Sequence, residues 1–159
     1  MPRSRNVNIR LPEIADIQAL LCIEQTCFTA HRFDKKQFKY YVHNPFSIFF
    51  VAETKRRLVG YACGILDHRQ RIRTARLYSM AVLSEMRGIG VGAMLLRQFE
   101  KEATRRNCES VTLEVHEKNA AAVALYKSFN YICERDLPDY YGSGQNGLRM
   151  RKILRRKEE

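Results

Sequence analysis

Apolar positions along the chain switch between two periods, and each switch marks an element. Residues 7–11, VNIRL, alternate and predict a strand. PEIADIQALLCIEQTCF follows, with Pro12 at a helix start and Ile14, Ile17, Leu21 and Glu24 at helical spacing. FDKKQFKYYVHN (33–44) repeats Phe33, Phe38, Tyr41 and Val42 on one face; Asp34 reads as its N-cap and Asn44-Pro45 as its stop. SIFFVAE (47–53), RLVGYACGILDH (57–68) and TARLYSMAVL (74–83) are rich in β-branched and aromatic residues and predict strands. GAMLLRQFEKEATRRN is a helix whose buried stripe is Met94, Leu95, Phe99 and Ala103. SVTLEVH (110–116) is a strand, and NAAAVALYKSF (119–129) a short helix with Asn119 as N-cap. YICERDL (131–137) and GLRMRKIL (147–154) close the chain as strands around the loop PDYYGSGQNG. The order βααβββαβαββ predicts an α/β fold: a mixed, mostly antiparallel sheet of about six to seven strands with about four helices.

At 159 residues the chain suits one domain, 1–159, with a real core. No apolar run approaches the ~18 residues of a membrane span. The basic start MPRSRNVNIR lacks the apolar stretch of a signal peptide, so the expected address is cytoplasmic. Five cysteines without a CxxC, and four histidines without ligand spacing, predict reduced, mostly buried thiols and no metal. The formal charge is +11, concentrated in residues 55–57, in 69–76 and in the basic end 149–159. It reads either as solvated faces or as a field for polyanions. Aromatic residues do not interleave with these runs, so stacking on single strands gains no support.

MRGIGVG (86–92) places three glycines at alternate positions before a helix. A helix N-terminus offers unpaired N–H groups and partial positive charge, and glycine lets a phosphate approach them. Gly88, Gly90 and Gly92 suit a nest for pyrophosphate, with Arg87 adding charge. A Walker A loop needs Lys-Ser/Thr after its last glycine, and Ala93-Met94 stands there instead. GIGVGA formally fits the loose dinucleotide pattern, but too few elements follow for a second mononucleotide half. A plain strand-to-helix connection is the remaining reading.

The loop, its preceding strand MAVL and its following helix resemble the acetyl-CoA signature R/Q-x-x-G-x-G/A of the GNAT N-acetyltransferases, here Arg87-Gly88-Ile89-Gly90-Val91-Gly92. LEVHEKNAAAVALYKSFNY (113–131) is similar to the LEVRxxNxxAxxLYxxLGF segment of the RimI-type branch, which acetylates protein N-termini. The resemblance is clear over 74–136 and departs at two places: His116 replaces an arginine, and Ser128-Phe129-Asn130-Tyr131 lacks a glycine. That missing glycine is a reason to expect a tilt in the last helix–strand joint.

Acetyl transfer from a thioester needs a neutral amine, a held donor, a stabilised oxyanion and a proton for the leaving thiolate. Thr112, Glu114 and His116 share one face of their strand, so Glu114 is either a site carboxylate or an exposed strand position. His116 is a rival base or simply exposed. Tyr126, on the same helix side as Ala122 and Phe129, is either core or site. The resemblance implies Glu114 as general base and Tyr126 as the acid that protonates the thiolate. It implies backbone contacts from Met80, Ala81 and Val82, and a hydrogen bond from Asn119, to the pantetheine arm. It also implies that CFTAHRF (27–33) and DYYGSGQNG (139–147) flank the acceptor, which makes Phe28, Arg32, Tyr140 and Tyr141 substrate candidates. The late loop is expected to be mobile on composition.

The expected function is therefore acetyl-CoA-dependent N-acetylation of a protein or peptide α-amine by direct attack, with a ribosome-associated acceptor among the options. The alternatives are a GNAT enzyme for a small amine or lysine side chain, and a non-enzymatic basic module contacting nucleic acid nonspecifically.

Overall fold

The computed structural model describes residues 6–55, 57–69 and 72–154. The basic positions 56, 71 and 155–157 lie outside these described residues. The elements are β1 (Asn8–Arg10), α1 (Ile17–Cys27), α2 (Lys35–His43), β2 (Ser47–Thr54), β3 (Arg57–Asp67), β4 (Thr74–Val82), α3 (Val91–Arg105), β5 (Ser110–His116), α4 (Ala120–Ser128), β6 (Ile132–Leu137) and β7 (Gly147–Ile153). One seven-stranded sheet runs β1-β2-β3-β4-β5-β7-β6, antiparallel except for the β4–β5 pair. Four helices on a mixed sheet agree with the expected architecture. Among the described residues no helix is long and apolar enough to cross a membrane.

Two of the helices form where the sequence places their caps. Asp34 accepts from the Gln37 N–H, and the Gln37 side chain returns the bond to Asp34, a reciprocal cap for α2. Asn119 accepts from the Ala122 N–H and caps α4. The α4–β6 joint needs no tilt to replace its missing glycine. Asn130 takes the left-handed conformation with φ of 70°, one that asparagine tolerates, and Tyr131 N–H closes back onto the Tyr126 carbonyl. α1 differs from its expected face. A short 3₁₀ turn over Ile14–Asp16 precedes it, so Ile14 stays exposed and the buried stripe is Ile17, Leu20, Ile23 and Glu24. In α3 the buried stripe adds Val91 and Leu96, with Met94 only half-buried.

The two sheet faces are distinct. A Cβ at Gly64 would fall 2.7 Å from the Phe99 ring, so α3 packs on that face. Tyr61, one of an alternating set on the other face, reaches Glu24 of α1.

Candidate active site

The cleft begins with an interrupted ladder. β4 and β5 pair in parallel only over Thr74–Leu77 and Ser110–Leu113. On the other side of β4, Cys63 pairs with Ser79 and Gly64 with Leu77, which leaves Tyr78 as an extra residue. That bulge turns β4 away from β5. Beyond it β4 pairs only with β3, and Glu114–His116 of β5 only with β7. A cleft of about 590 Å³ opens between the splayed strands.

The open edge of β4 carries unspent backbone groups. Leu83 N–H bonds the Val59 carbonyl, so by alternation Ala81 also faces β3 while Met80 and Val82 face the cleft. Of the three candidates for a pantetheine partner, Met80 and Val82 thus have the required orientation and Ala81 supports them from within the ladder. The Val82 carbonyl accepts from Arg87 Nε at 2.9 Å and from the Cys27 thiol at 3.7 Å. Arg87 therefore ties the glycine loop back to β4.

Gly88 and Gly90 have φ of 78° and 90°, conformations a side chain resists, and a Cβ added at either meets nothing within 4 Å. Among the described residues no side chain caps α3. The first N–H groups of Val91, Gly92 and the turn of Ile89 are thus left at an open, positively polarised helix end. A Cβ at Gly92 would lie 3.3 Å from Leu125, so this glycine seats α3 against α4. The arrangement fits a diphosphate.

Tyr126 projects from α4 into the same cleft. Its ring is buried, and burial pushes its phenol well above the usual range, with Tyr141 adding to the effect. Its hydroxyl has no protein partner among the described residues.

Each wall of the cleft contains a carboxylate. Glu114 Oε1 accepts from Arg76 at 2.8 Å and from Arg149 at 3.1 Å, and Oε2 receives the longer 3.3 Å contact from Arg76 Nε. On the opposite wall Glu24 is 1% exposed and accepts from the Tyr61 hydroxyl and, at 2.7 Å, from the Phe33 N–H. Tyr61 in turn bonds Ser79 Oγ at 2.7 Å, and Ser79 lines the cleft. Burial pushes the Glu24 carboxyl upward despite those hydrogen bonds. Sequence periodicity placed Glu24 only as a helix position. The available signal was a carboxylate on the apolar stripe of α1.

The far mouth is bridged. Phe28 and His31, from the turn after α1, line it together with Tyr141 and Gln145 of the late loop. His31 Nε2 lies 3.3 Å from the Tyr141 carbonyl. His116 Nδ1 accepts from Lys118 N–H, so its Nε2–H donates to Gln145 Oε1 at 2.8 Å, and its ring stacks on Tyr141. The loop expected to be mobile is cross-tied: Asp139 N–H bonds Asn146 and Gly144 N–H bonds Asp139, while Asn146 and Glu117 bond each other. Burial, then Tyr140 and Glu114, push the Tyr141 phenol up to about 12. Two substrate candidates stand outside the cleft lining. Arg32 folds back onto the Phe28 and Gln25 carbonyls, and Tyr140 sits beyond the rim with its hydroxyl 3.5 Å from Arg76.

Residues 16–131 match the model of the Acetyltransferase (GNAT) family. The chain is 29% identical over 157 residues to an N-alpha-acetyltransferase of Sulfolobus acidocaldarius, with 93% of each chain covered. It is 35% identical over 105 residues to an uncharacterized N-acetyltransferase of Methanocaldococcus jannaschii, and that match spans only 65% of either protein. Among solved structures, Ard1 from Thermoplasma volcanium is similar with a TM-score of 0.85 at 27% identity, covering 94% of this chain and 99% of that one.

Proposed function

The chain belongs to the GNAT acetyltransferase family, and on that premise we propose that it transfers acetyl from acetyl-CoA to the N-terminal α-amine of a protein or peptide in the cytoplasm. The observation that carries the reading is the divergence of β4 from β5 after Leu77 and Leu113, which opens a passage through the sheet. The glycine loop stands at one mouth and the bridged turn and late loop at the other. Relatives named as N-alpha-acetyltransferases support the acceptor class. The His31–Tyr141 bridge supports it too: a chain end threads a narrowed mouth more easily than an internal lysine flanked by chain on both sides.

Acetyl-CoA supplies an activated acetyl thioester. The amides and left-handed glycines of residues 88–92 hold its diphosphate, and Met80 and the Val82 N–H offer strand-edge groups to its arm, the Val82 carbonyl being held by Arg87 and Cys27. Asn119, at the start of α4, adds a side-chain amide donor on that side. Tyr126 has a hydroxyl free to donate, and a phenol protonates a thiolate of ordinary pKa ~8.5 only when held close and dry, as burial provides here. Phe28 and Tyr141 line the acceptor mouth. Glu114 takes the amine proton through a water on Oε2, the oxygen that its arginines occupy less.

The Glu24 wall favours a second reading of that proton step. Ser79 Oγ at the cleft surface takes the amine's proton as it passes its own to Tyr61, and Tyr61 passes its own to Glu24, which ends protonated. The acceptor class itself is tested with two peptides of one sequence, one with a free α-amine and one with a blocked N-terminus and a free lysine. An α-amine has a reference pKa of ~7.7–8.0 against ~10.4 for lysine, so one carboxylate meets the smaller demand. The expected result is faster labelling of the free α-amine, placed on the first residue by mass spectrometry. Preferential labelling of lysine, or of polyamines alone, moves the protein to the other acceptor classes.

A further inference from the structure

Beside the cleft, on the face that α1 and α2 cover only over β2–β4, the far strands carry a charged furrow of about 600 Å³. Among the described residues five arginines line it against three carboxylates. The pairing leaves cations in excess. Arg151 is matched by Glu134 at 2.8 Å and Arg69 by Asp67 at 3.4 Å, but Arg76 and Arg149 share the single carboxylate of Glu114. Arg135 is exposed, and no described residue hydrogen-bonds or pairs with its guanidinium.

The register sharpens the point. Glu114, Arg149 and Arg135 are consecutive partners across β5, β7 and β6, so all three side chains share one face and one row. Like charges directly opposite each other destabilise a sheet. An anion lying between Arg135 and Arg149 removes that cost, and a guanidinium pair receives carboxylates well through its planar, forked donors.

The furrow adjoins the cleft, because Glu114 borders both. From β5 to β6 is two strand spacings, or about 10 Å, and an extended chain covers ~3.3 Å per residue. A peptide whose amine sits in the cleft therefore brings roughly its third to fifth residues over Arg149 and Arg135.

We infer that this furrow is a subsite for the acceptor chain, selecting aspartate or glutamate about three to five residues after the acetylated amine. The inference rests on the N-terminal reading above, and it gives part of the net charge of +11 a use.

The test compares three ten-residue peptides identical at positions 1 and 2, with glutamate, glutamine or lysine at positions 3–5. The full chain is used, and acetyl placement is read by mass spectrometry. The expected order of kcat/KM is glutamate over glutamine by about 10-fold and glutamine over lysine, carried mainly by KM and shrinking as salt rises. In Arg135→Gln the glutamate-to-glutamine ratio falls toward 1, and in Arg135→Glu it inverts; an unchanged Tm confirms that each variant is folded. Equal rates on glutamate and glutamine peptides overturn the subsite while leaving N-terminal acetylation standing. So does a preference that survives Arg135→Glu. If single-stranded RNA blocks acetylation of the glutamine peptide and no acidic preference exists, the furrow serves nucleic acid and the inference fails. Absence of any α-amine acetylation removes the parent reading and this one with it.

Discussion

The two walls of the cleft each hold a nearly buried carboxylate, and they hold it by opposite means. On the α1 wall, Glu24 is buried and accepts from two neutral donors, the Tyr61 hydroxyl and the Phe33 N–H, with the Arg32 guanidinium acting on it only as a weaker, more distant charge. On the β5 wall, Glu114 is 8% exposed in its side chain and sits between two guanidinium groups. Neutral donors leave burial in command, and burial disfavours charge. Paired guanidiniums instead compensate a charge where it stands. Burial thus pushes the carboxyl of the α1 wall toward its neutral form. The other sets its carboxylate between Arg76 and Arg149 at the cleft, where on the reading proposed above it serves either the amine or the ordering of the acceptor mouth.

The sharpest way to break this comparison is to neutralise each wall in turn. Glu114→Gln is expected to lower kcat by about 10²-fold or more, the scale of general base loss. The defect should ease as pH rises and the amine neutralises itself. Glu24→Gln is expected to keep most activity. If instead Glu24→Gln abolishes turnover with Tm intact, while Glu114→Gln raises only KM, the relay through Ser79 and Tyr61 is the base and Glu114 is an ordering group.

Tyr126 stands between the walls and belongs to neither network. Tyr126→Phe is expected to slow turnover about 10²-fold with no recovery at high pH, since a thiolate leaving group still lacks its proton. Recovery at high pH parallel to that of Glu114→Gln would place Tyr126 in the amine's proton path instead. A smaller effect is expected at the loop, away from both carboxylates. Gly90→Val should weaken acetyl-CoA binding at least ~10-fold, about 1.4 kcal/mol, because a β-branched residue resists the φ of 90° there and narrows the approach to the amides. Arg87→Ala should cost less, as Arg87 anchors the loop to Val82 rather than lining the glycines. Calorimetry that finds unchanged affinity in folded Gly90→Val removes the loop from the coenzyme site.

The contrast between the walls also marks what the sequence could convey. Local chemistry was legible: runs rich in β-branched and aromatic residues marked the central strands, Asp34 and Asn119 marked helix caps, and alternate glycines marked an open helix end. The partners of Glu114 were not, because Arg76 and Arg149 lie 38 and 35 residues away and meet it only through a parallel and an antiparallel pairing. Glu24 hid for a like reason. It was on the expected stripe of α1, but its partners Tyr61 and Phe33 lie 37 and 9 residues away and meet it only in the folded chain. In the late loop, glycine content speaks of the freedom of an isolated chain and does not reveal the bonds that Asp139 and Asn146 make across it.

The smallest effect separates the walls by stability rather than rate. Burial raises the Glu24 carboxyl above its ordinary value of 4.5. A raised folded-state pKa contributes stability that is fully present below the unfolded value and is lost as pH rises through the folded value. Glutamine at this position cannot lose a proton. Its oxygen accepts from the Phe33 N–H, while its amide donates to Tyr61, whose hydroxyl then turns toward Ser79. Glu24→Gln should therefore gain on the native protein as pH rises from 4.5 toward 8, by a few degrees in Tm, since about 1 kcal/mol moves a domain of this size by roughly 2–4 °C. Other titrations are common to both proteins and cancel in the difference. Scanning calorimetry at pH 5 and pH 8 measures it. A Tm difference that stays constant, or that moves the other way with pH, means that burial does not raise the Glu24 carboxyl.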